Sequence, residues 1–301
     1  MDVTTSSRRA RSRGRSAAVR AMGSGDGHAR GLARDAIERA KAARALAGAI
    51  ESGERLGARA SSAVRERALR GALDCGDVES ATTIARSLVE RHGRESARAV
   101  VLEAACARAG GAIDDAERTI EEALERAPGD QRLMRARVAC ALDRGDDLGA
   151  IERLCEYLDV YAADEEAWTR LGKLYLARGE YDKALFCYEE VVCALPFDPN
   201  AHRRIAEVLY TVGGRENWRD AKNYFAVALD FTNGQDVRAL YGVVMCVRRL
   251  KETEDEAEAT GIPVSEGVAL ADAAVERLLQ RYALENESLL GVVRRTTLRR
   301  D

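Results

Sequence analysis

The stretch WTRLGKLYLARGEYDKALFCYEEVVCALP, from Trp168 to Pro196, spaces its conspicuous residues regularly. Trp168, Leu171 and Tyr175 follow one another at three and four residues, which sets them on one face of a helix. Small Gly172 lies within that face. After a break at Gly179 come small Ala184, aromatic Tyr188, Val191 and a closing Pro196. The pattern predicts a helix–turn–helix in which Gly172 and Ala184 let the two helices approach closely. Tyr188 and Val191 supply the second helix's stripe, and Pro196 stops it. No residue in the stretch needs a chemical role.

The same pattern recurs along the chain. Ala116, Ala150 and Ala184 recur at one constant interval, as do Ile120, Leu154 and Tyr188, and Ala123, Tyr157 and Val191. Pro128 lies two such periods before Pro196. The period, about 34 residues, resembles that of the tetratricopeptide repeat. That resemblance implies an all-α, right-handed solenoid of about five to six helix–turn–helix units. Units are expected near 63–96, 97–130, 131–164, 165–198 and 199–235, with a degenerate last unit at 236–290. The first is worn, with Thr82 and Arg86 on core positions, which suggests a local shift of frame. The fifth carries extra residues in its turn, TVGGRENWRD from Thr211, after which Ala221, Phe225 and Ala228 restore the packing pattern. In the last, VALADAAVERLLQRYA from Val268 reads as a delayed second helix.

Composition agrees with a helical repeat. Of 301 residues 46% are hydrophobic, only 5% are aromatic and just 4 are proline, which favours helices over sheets. A formal charge of −3 argues against a surface coated with nucleic acid. No apolar run approaches the roughly 18 residues of a membrane span. Seven cysteines, never in a C-x-x-C pair, read as small hydrophobes in a reducing compartment, and no secretory leader is evident. Residues 1–34 hold eight Arg against two Asp and almost no large apolar side chains. They read as a disordered tail, or as an Arg- and Ser-rich transit peptide, ahead of a helical region at 35–290. Residues 291–301 form a basic end containing Arg294, Arg295, Arg299 and Arg300.

No constellation for chemistry stands out. The three histidines, His28, His92 and His202, have no Cys or His neighbour at metal-ligand spacing, and no phosphate-binding loop occurs. No catalytic residue, cofactor or metal is expected. What remains is protein binding along a groove lined by exposed first-helix positions. The candidates are Arg132 and Arg135; Glu166, Thr169 and Lys173; and Asn200, Arg203 and Glu207. A clamp of cations for a chaperone's terminal carboxylate is missing, because Val101, Ala105, Ala136 and Ala139 stand at the corresponding positions. A soluble chaperone adaptor, an RNA-associated repeat and a prenyltransferase α-subunit are the rivals; the missing clamp counts against the first. The near-neutral repeats and the short W-x-R spacing at Trp168 and Arg170 count against the other two.

Particular stretches are more specific than the repeat. ALDCGDVESA from Ala72, AIERLCEYLDVYAADEEAW from Ala150, YDKALFCYEEVVCALPFDPNAHRRIAEVLYTVGG from Tyr181, AKNYFAVAL from Ala221 and VRALYGVVMC from Val237 together resemble one family. It is that of the second subunits of the endoplasmic reticulum (ER) membrane protein complex, and the similarity covers roughly residues 63–250. The resemblance implies a non-catalytic scaffold, peripheral on the cytoplasmic side of the ER membrane. Its partners would be the cytosolic and membrane-embedded subunits of that complex. The complex inserts tail-anchored and multipass proteins without nucleotide hydrolysis.

Overall fold

The structure is a computed structural model that describes residues 27–51, 60–253, 265–285 and 287–297. Every regular element among them is an α-helix. The helices are α1 (Gly27–Glu51), α2 (Ser62–Asp74), α3 (Val78–His92), α4 (Ala97–Gly110), α5 (Ile113–Arg126), α6 (Gln131–Arg144) and α7 (Asp147–Val160). They continue as α8 (Glu165–Ala177), α9 (Tyr181–Ala194), α10 (Pro199–Val212), α11 (Arg215–Phe231), α12 (Val237–Glu252), α13 (Ser265–Glu285) and α14 (Glu287–Thr297). This is a helical-repeat solenoid whose helices gather into two compact units, residues 1–161 and 162–301.

The period is written in the helix starts. First helices begin at Ala97, Gln131, Glu165 and Pro199, and second helices at Ile113, Asp147, Tyr181 and Arg215, each one full period after the last. Helix caps set those positions. Ser96, Asp130, Asp164 and Asp198 each accept a backbone N–H of the first turn they precede, satisfying donors a helix start leaves open. At the turn inside each pair, Gly111, Gly145 and Gly179 take φ of +90°, +78° and +74°, a region costly for a residue with a Cβ. The residue after each glycine then donates back across the helix end, as Asp146 does to the Ala141 carbonyl at 3.0 Å.

In the first unit, α2 and α3 start at Ser62 and Val78, one residue ahead of the register. That displacement removes Thr82 and Arg86 from the interior: Arg86 is exposed, and Ala81, Ile84, Ala85 and Leu88 are buried instead. Much of the charge here binds neighbouring repeats. Glu117 on α5 takes hydrogen bonds from Arg144 at 2.5 Å and from Arg153 on α7. Arg108 reaches Asp143 at 2.7 Å, and Arg98 reaches Glu66 at 2.6 Å. Arg137, one period before the apolar Leu171, is held by Glu156 and Glu121.

The second unit is held mainly by apolar contact. Ala184, Tyr188, Ile205, Ala206, Ala221, Phe225, Ala228, Val243 and Leu278 share one buried core. A Cβ on Gly172 would stand 2.9 Å from the Tyr188 ring, so the ring closes directly over bare backbone. Gly242 does the same beneath Phe225.

Several boundaries differ from those read off the chain. Residues 27–34, read as tail, belong to α1, whereas residues 1–26 lie outside the described residues. The delayed second helix begins at Ser265, ahead of Val268. Residues 291–297, read as part of a basic end, continue α14. Helical hydrogen bonding tolerates the Arg- and Gly-containing composition that made these segments look irregular.

Two outcomes test this packing. Gly172→Leu should lower unfolding stability by about 2–3 kcal/mol in urea titration through overpacking. Gly129→Ala, where an added carbon meets nothing within 4 Å, should leave the midpoint in place. Separately, hydrogen bonds from Arg144, outweighing partial burial, hold the Glu117 carboxyl below the usual range. Its contribution is therefore complete above the unfolded carboxyl's pKa and is lost as pH falls through the folded value, below roughly pH 4. Glu117→Gln should cost about 2 kcal/mol at pH 7 and flatten that acid limb, as read by chemical denaturation at a series of pH values.

Candidate partner-binding face

The expected repeat-packing residues divide by environment. Ala116, Ile120, Ala123, Ala150 and Leu154 are buried in the first unit. Leu171, Gly172, Ala184, Tyr188, Ala221, Phe225 and Ala228 are buried in the second. Tyr175 is half-buried, packed against the core of the second unit. Trp168 is also half-buried. Its ring meets Phe186 edge-on at 5.8 Å and its indole N–H donates to the Ala162 carbonyl at 2.8 Å. Pro128 and Pro196 are not buried in either core: both are exposed, so they end helices without packing between them.

The eight groove candidates are not equivalent. In the first unit Arg132 is exposed, and Arg135 lies over the Tyr157 ring at 5.9 Å. Gln131 donates to the hydroxyl of that same tyrosine at 2.9 Å. In the second unit Lys173 is exposed, Thr169 is half-buried, and Glu166 pairs with Arg170 one turn on at 3.1 Å.

Arg203 requires a correction. It is only 9% exposed and joins α10 to the start of α12. Its guanidinium ion-pairs with Asp236 at 2.9 Å, donates to Glu207 at 2.7 Å and donates to Asn200 at 3.1 Å. The charge turns inward because Asp236, the cap of α12, stands within reach on the next repeat. Asn200 and Glu207 are engaged with it, and Glu207 also pairs with Arg238 at 3.3 Å.

Sequence reading missed the rest of this face. Arg204 lies over the Tyr188 ring at 5.7 Å, Arg249 is hydrogen-bonded to Tyr210, and Met245 is exposed on α12. Burial, reinforced by a hydrogen bond with Tyr282, pushes the Tyr241 hydroxyl up to about 12. The longer fifth unit takes α12 out of the repeat's register, so periodic spacing did not point to its exposed positions. The face thus combines cations with tyrosines, buried at Tyr188 and half-buried at Tyr210 and Tyr241, suited to holding a polypeptide.

Burial leaves two of the thiols, Cys106 and Cys246, inert. It raises Cys106 to about 11 and Cys246 to about 12, so both are protonated at neutral pH and serve as packing groups. Among the described residues, no helix is long and apolar enough to cross a membrane.

Residues 94–215 match the family model described as the EMC2 TPR-like repeat domain. The matched segment spans α4 through α10 and contains all eight groove candidates. The chain is 33% identical over 182 residues to ER membrane protein complex subunit 2-B of Xenopus laevis, covering 60% of this chain and 61% of that protein. It is 29% identical over 197 residues to subunit 2 of Dictyostelium discoideum, covering 62% and 61%. The chain therefore spans about three-fifths of the length of these relatives. The C-terminal part of a TPR repeat-containing protein from Cytophaga hutchinsonii shares the fold, with a TM-score of 0.52 at 15% identity over 74% of this chain and 81% of that one.

The matched repeats separate structural from available charge, and substitution should show it. Arg203→Ala should destabilise by about 3 kcal/mol, because Asp236 and Glu207 lose a largely buried partner. Lys173→Glu should stay within about 0.5 kcal/mol. Thermal unfolding of the two variants side by side checks this.

Proposed function

We propose that this chain is a non-catalytic scaffold subunit of the ER membrane protein complex, peripheral on the cytoplasmic side of the membrane. In this reading its first-helix faces hold cytosolic and membrane-embedded partner subunits. The assembly inserts tail-anchored and multipass proteins without nucleotide hydrolysis. The observation that carries the reading is the match of residues 94–215 to the EMC2 TPR-like repeat model, together with similarity to relatives that bear the complex's name. The exposed Lys173 and Arg132 and the tyrosine-lined face of α10 and α12 support it, since they supply surface for partners. At the positions where a chaperone-tail clamp would need cations, Ala136 is buried, and Val101, Ala105 and Ala139 are half-buried and uncharged.

A tagged chain recovered from membranes solubilised in mild detergent should bring down a stable set of multi-spanning ER proteins, and alkaline washing of intact membranes should release it. Lys173→Glu should reduce that recovery severalfold while leaving the fold intact. Recovery of chaperones or ribonucleoproteins alone, identified by mass spectrometry, would refute the scaffold reading.

A further inference from the structure

The edge of the second unit where α9 passes into α10 and α11 into α12 carries aromatic rings facing solvent. Phe197 is 79% exposed, Leu195 42% and Phe231 39%. The two phenylalanines form one patch, and Leu195 lies in the same turn as Phe197, in which the Asp198 N–H donates to the Leu195 carbonyl. Phe197 and Phe231 meet edge-to-face at 5.7 Å, Phe231 lies 5.5 Å from the His202 ring, and His202 lies 5.9 Å from Tyr224. His202 is the buried floor: its Nε2 stands 2.8 Å from the Pro196 carbonyl oxygen, anchoring the turn that presents Phe197. Its Nδ1 is buried and unpaired.

The charges around this patch are acidic. Glu189 and Asp230 are exposed, and Asp230 directly precedes Phe231. The charges of Glu189 and Asp220 add to burial in raising the Tyr224 hydroxyl, which places both acids within electrostatic reach of the ring cluster. Two cations at this edge are engaged by backbone: Arg277 donates to the Asn233 carbonyl at 3.0 Å and Arg281 to the Gln235 carbonyl at 2.5 Å. Aromatic faces attract cations, and the attraction strengthens when water is excluded. A contiguous exposed apolar patch of this kind marks an interaction site more often than scattered single residues do. A neutral apolar partner would strip water from Glu189 and Asp230 with nothing in return, and an anionic lipid surface would be repelled.

We propose that Leu195, Phe197 and Phe231, with Glu189 and Asp230 beside them, form a docking site for a basic, apolar-flanked segment of a partner protein. Its Arg or Lys side chains lie against the phenylalanine faces, and its apolar residues cover Leu195. Cytoplasmic loops next to membrane spans have this chemistry, being enriched in Lys and Arg. The inference deepens the scaffold reading and depends on it only for the partner being a protein.

The test uses the full chain and a fluorescein-labelled peptide of arginine and leucine, with a glutamine-and-leucine counterpart, followed by fluorescence anisotropy. The arginine peptide should bind at least tenfold more tightly than its counterpart. Phe197→Ala and Glu189→Lys should each weaken it by about tenfold with unchanged thermal midpoints, since both side chains are exposed. Equal affinity for the two peptides, or indifference to Phe197→Ala, would overturn the proposal. So would sedimentation showing a dimer that Phe197→Ala dissolves, because the occupant would then be a second copy. Failure here with the ER complex still co-purifying leaves the scaffold standing, whereas peptide binding without the complex removes only the scaffold.

Discussion

The Tyr188 ring rests on Gly172 with no room for a single added carbon, and the fold depends on contacts of this kind. Two helices joined by a short turn cannot bury their apolar faces alone. They must approach closely, then pass the remaining face to the next pair. Small residues at Ala116, Ala150, Ala184 and Ala221 make the approach possible. Large ones at Ile120, Leu154, Tyr188 and Phe225 fill what is left. The caps and left-handed glycines then determine where each helix stops, so a contact in one repeat recurs in the next.

The two compact units meet this constraint differently. The first adds Arg–carboxylate pairs between consecutive repeats, and Arg137 stands one period before the apolar Leu171 of the second. The second uses rings and aliphatic side chains around Tyr188 and Phe225. This contrast bears on function, because an arginine committed to a neighbouring repeat is not available to a partner. Arg98, Arg108, Arg144, Arg153 and Arg203 are committed in that way. Lys173 and Arg132 remain on the surface, and the half-buried Tyr210 and Tyr241 offer polar tips and apolar bodies that suit a bound polypeptide.

Much of the fold was legible because helix faces are encoded by local spacing. Leu171 and Ala184 could be placed on packing faces from intervals of three and four residues within one helix, and the structure buries both. Trp168 occupies an equally conspicuous position yet stays half-buried, since its exposure depends on Phe186 on the following helix. The candidate face was less legible. Exposed first-helix positions could be listed, but spacing within a helix does not tell an inward-turned Arg203 from an outward Lys173. Only Arg203 has the cap of the next first helix within reach.

By itself, the sequence determined the class of structure, its repeat period and its resemblance to the second subunits of the ER membrane complex. All three rest on patterns within or between short segments, and helical geometry converts those patterns directly into faces. The tertiary structure alone decided which charges face inward and which rings meet. Phe197 and Phe231 stand one repeat apart and are unremarkable in either turn. They become one patch because the repeat stacks their turns side by side and His202 holds them there. Such contacts depend on through-space distances between successive repeats, which one-dimensional spacing does not specify.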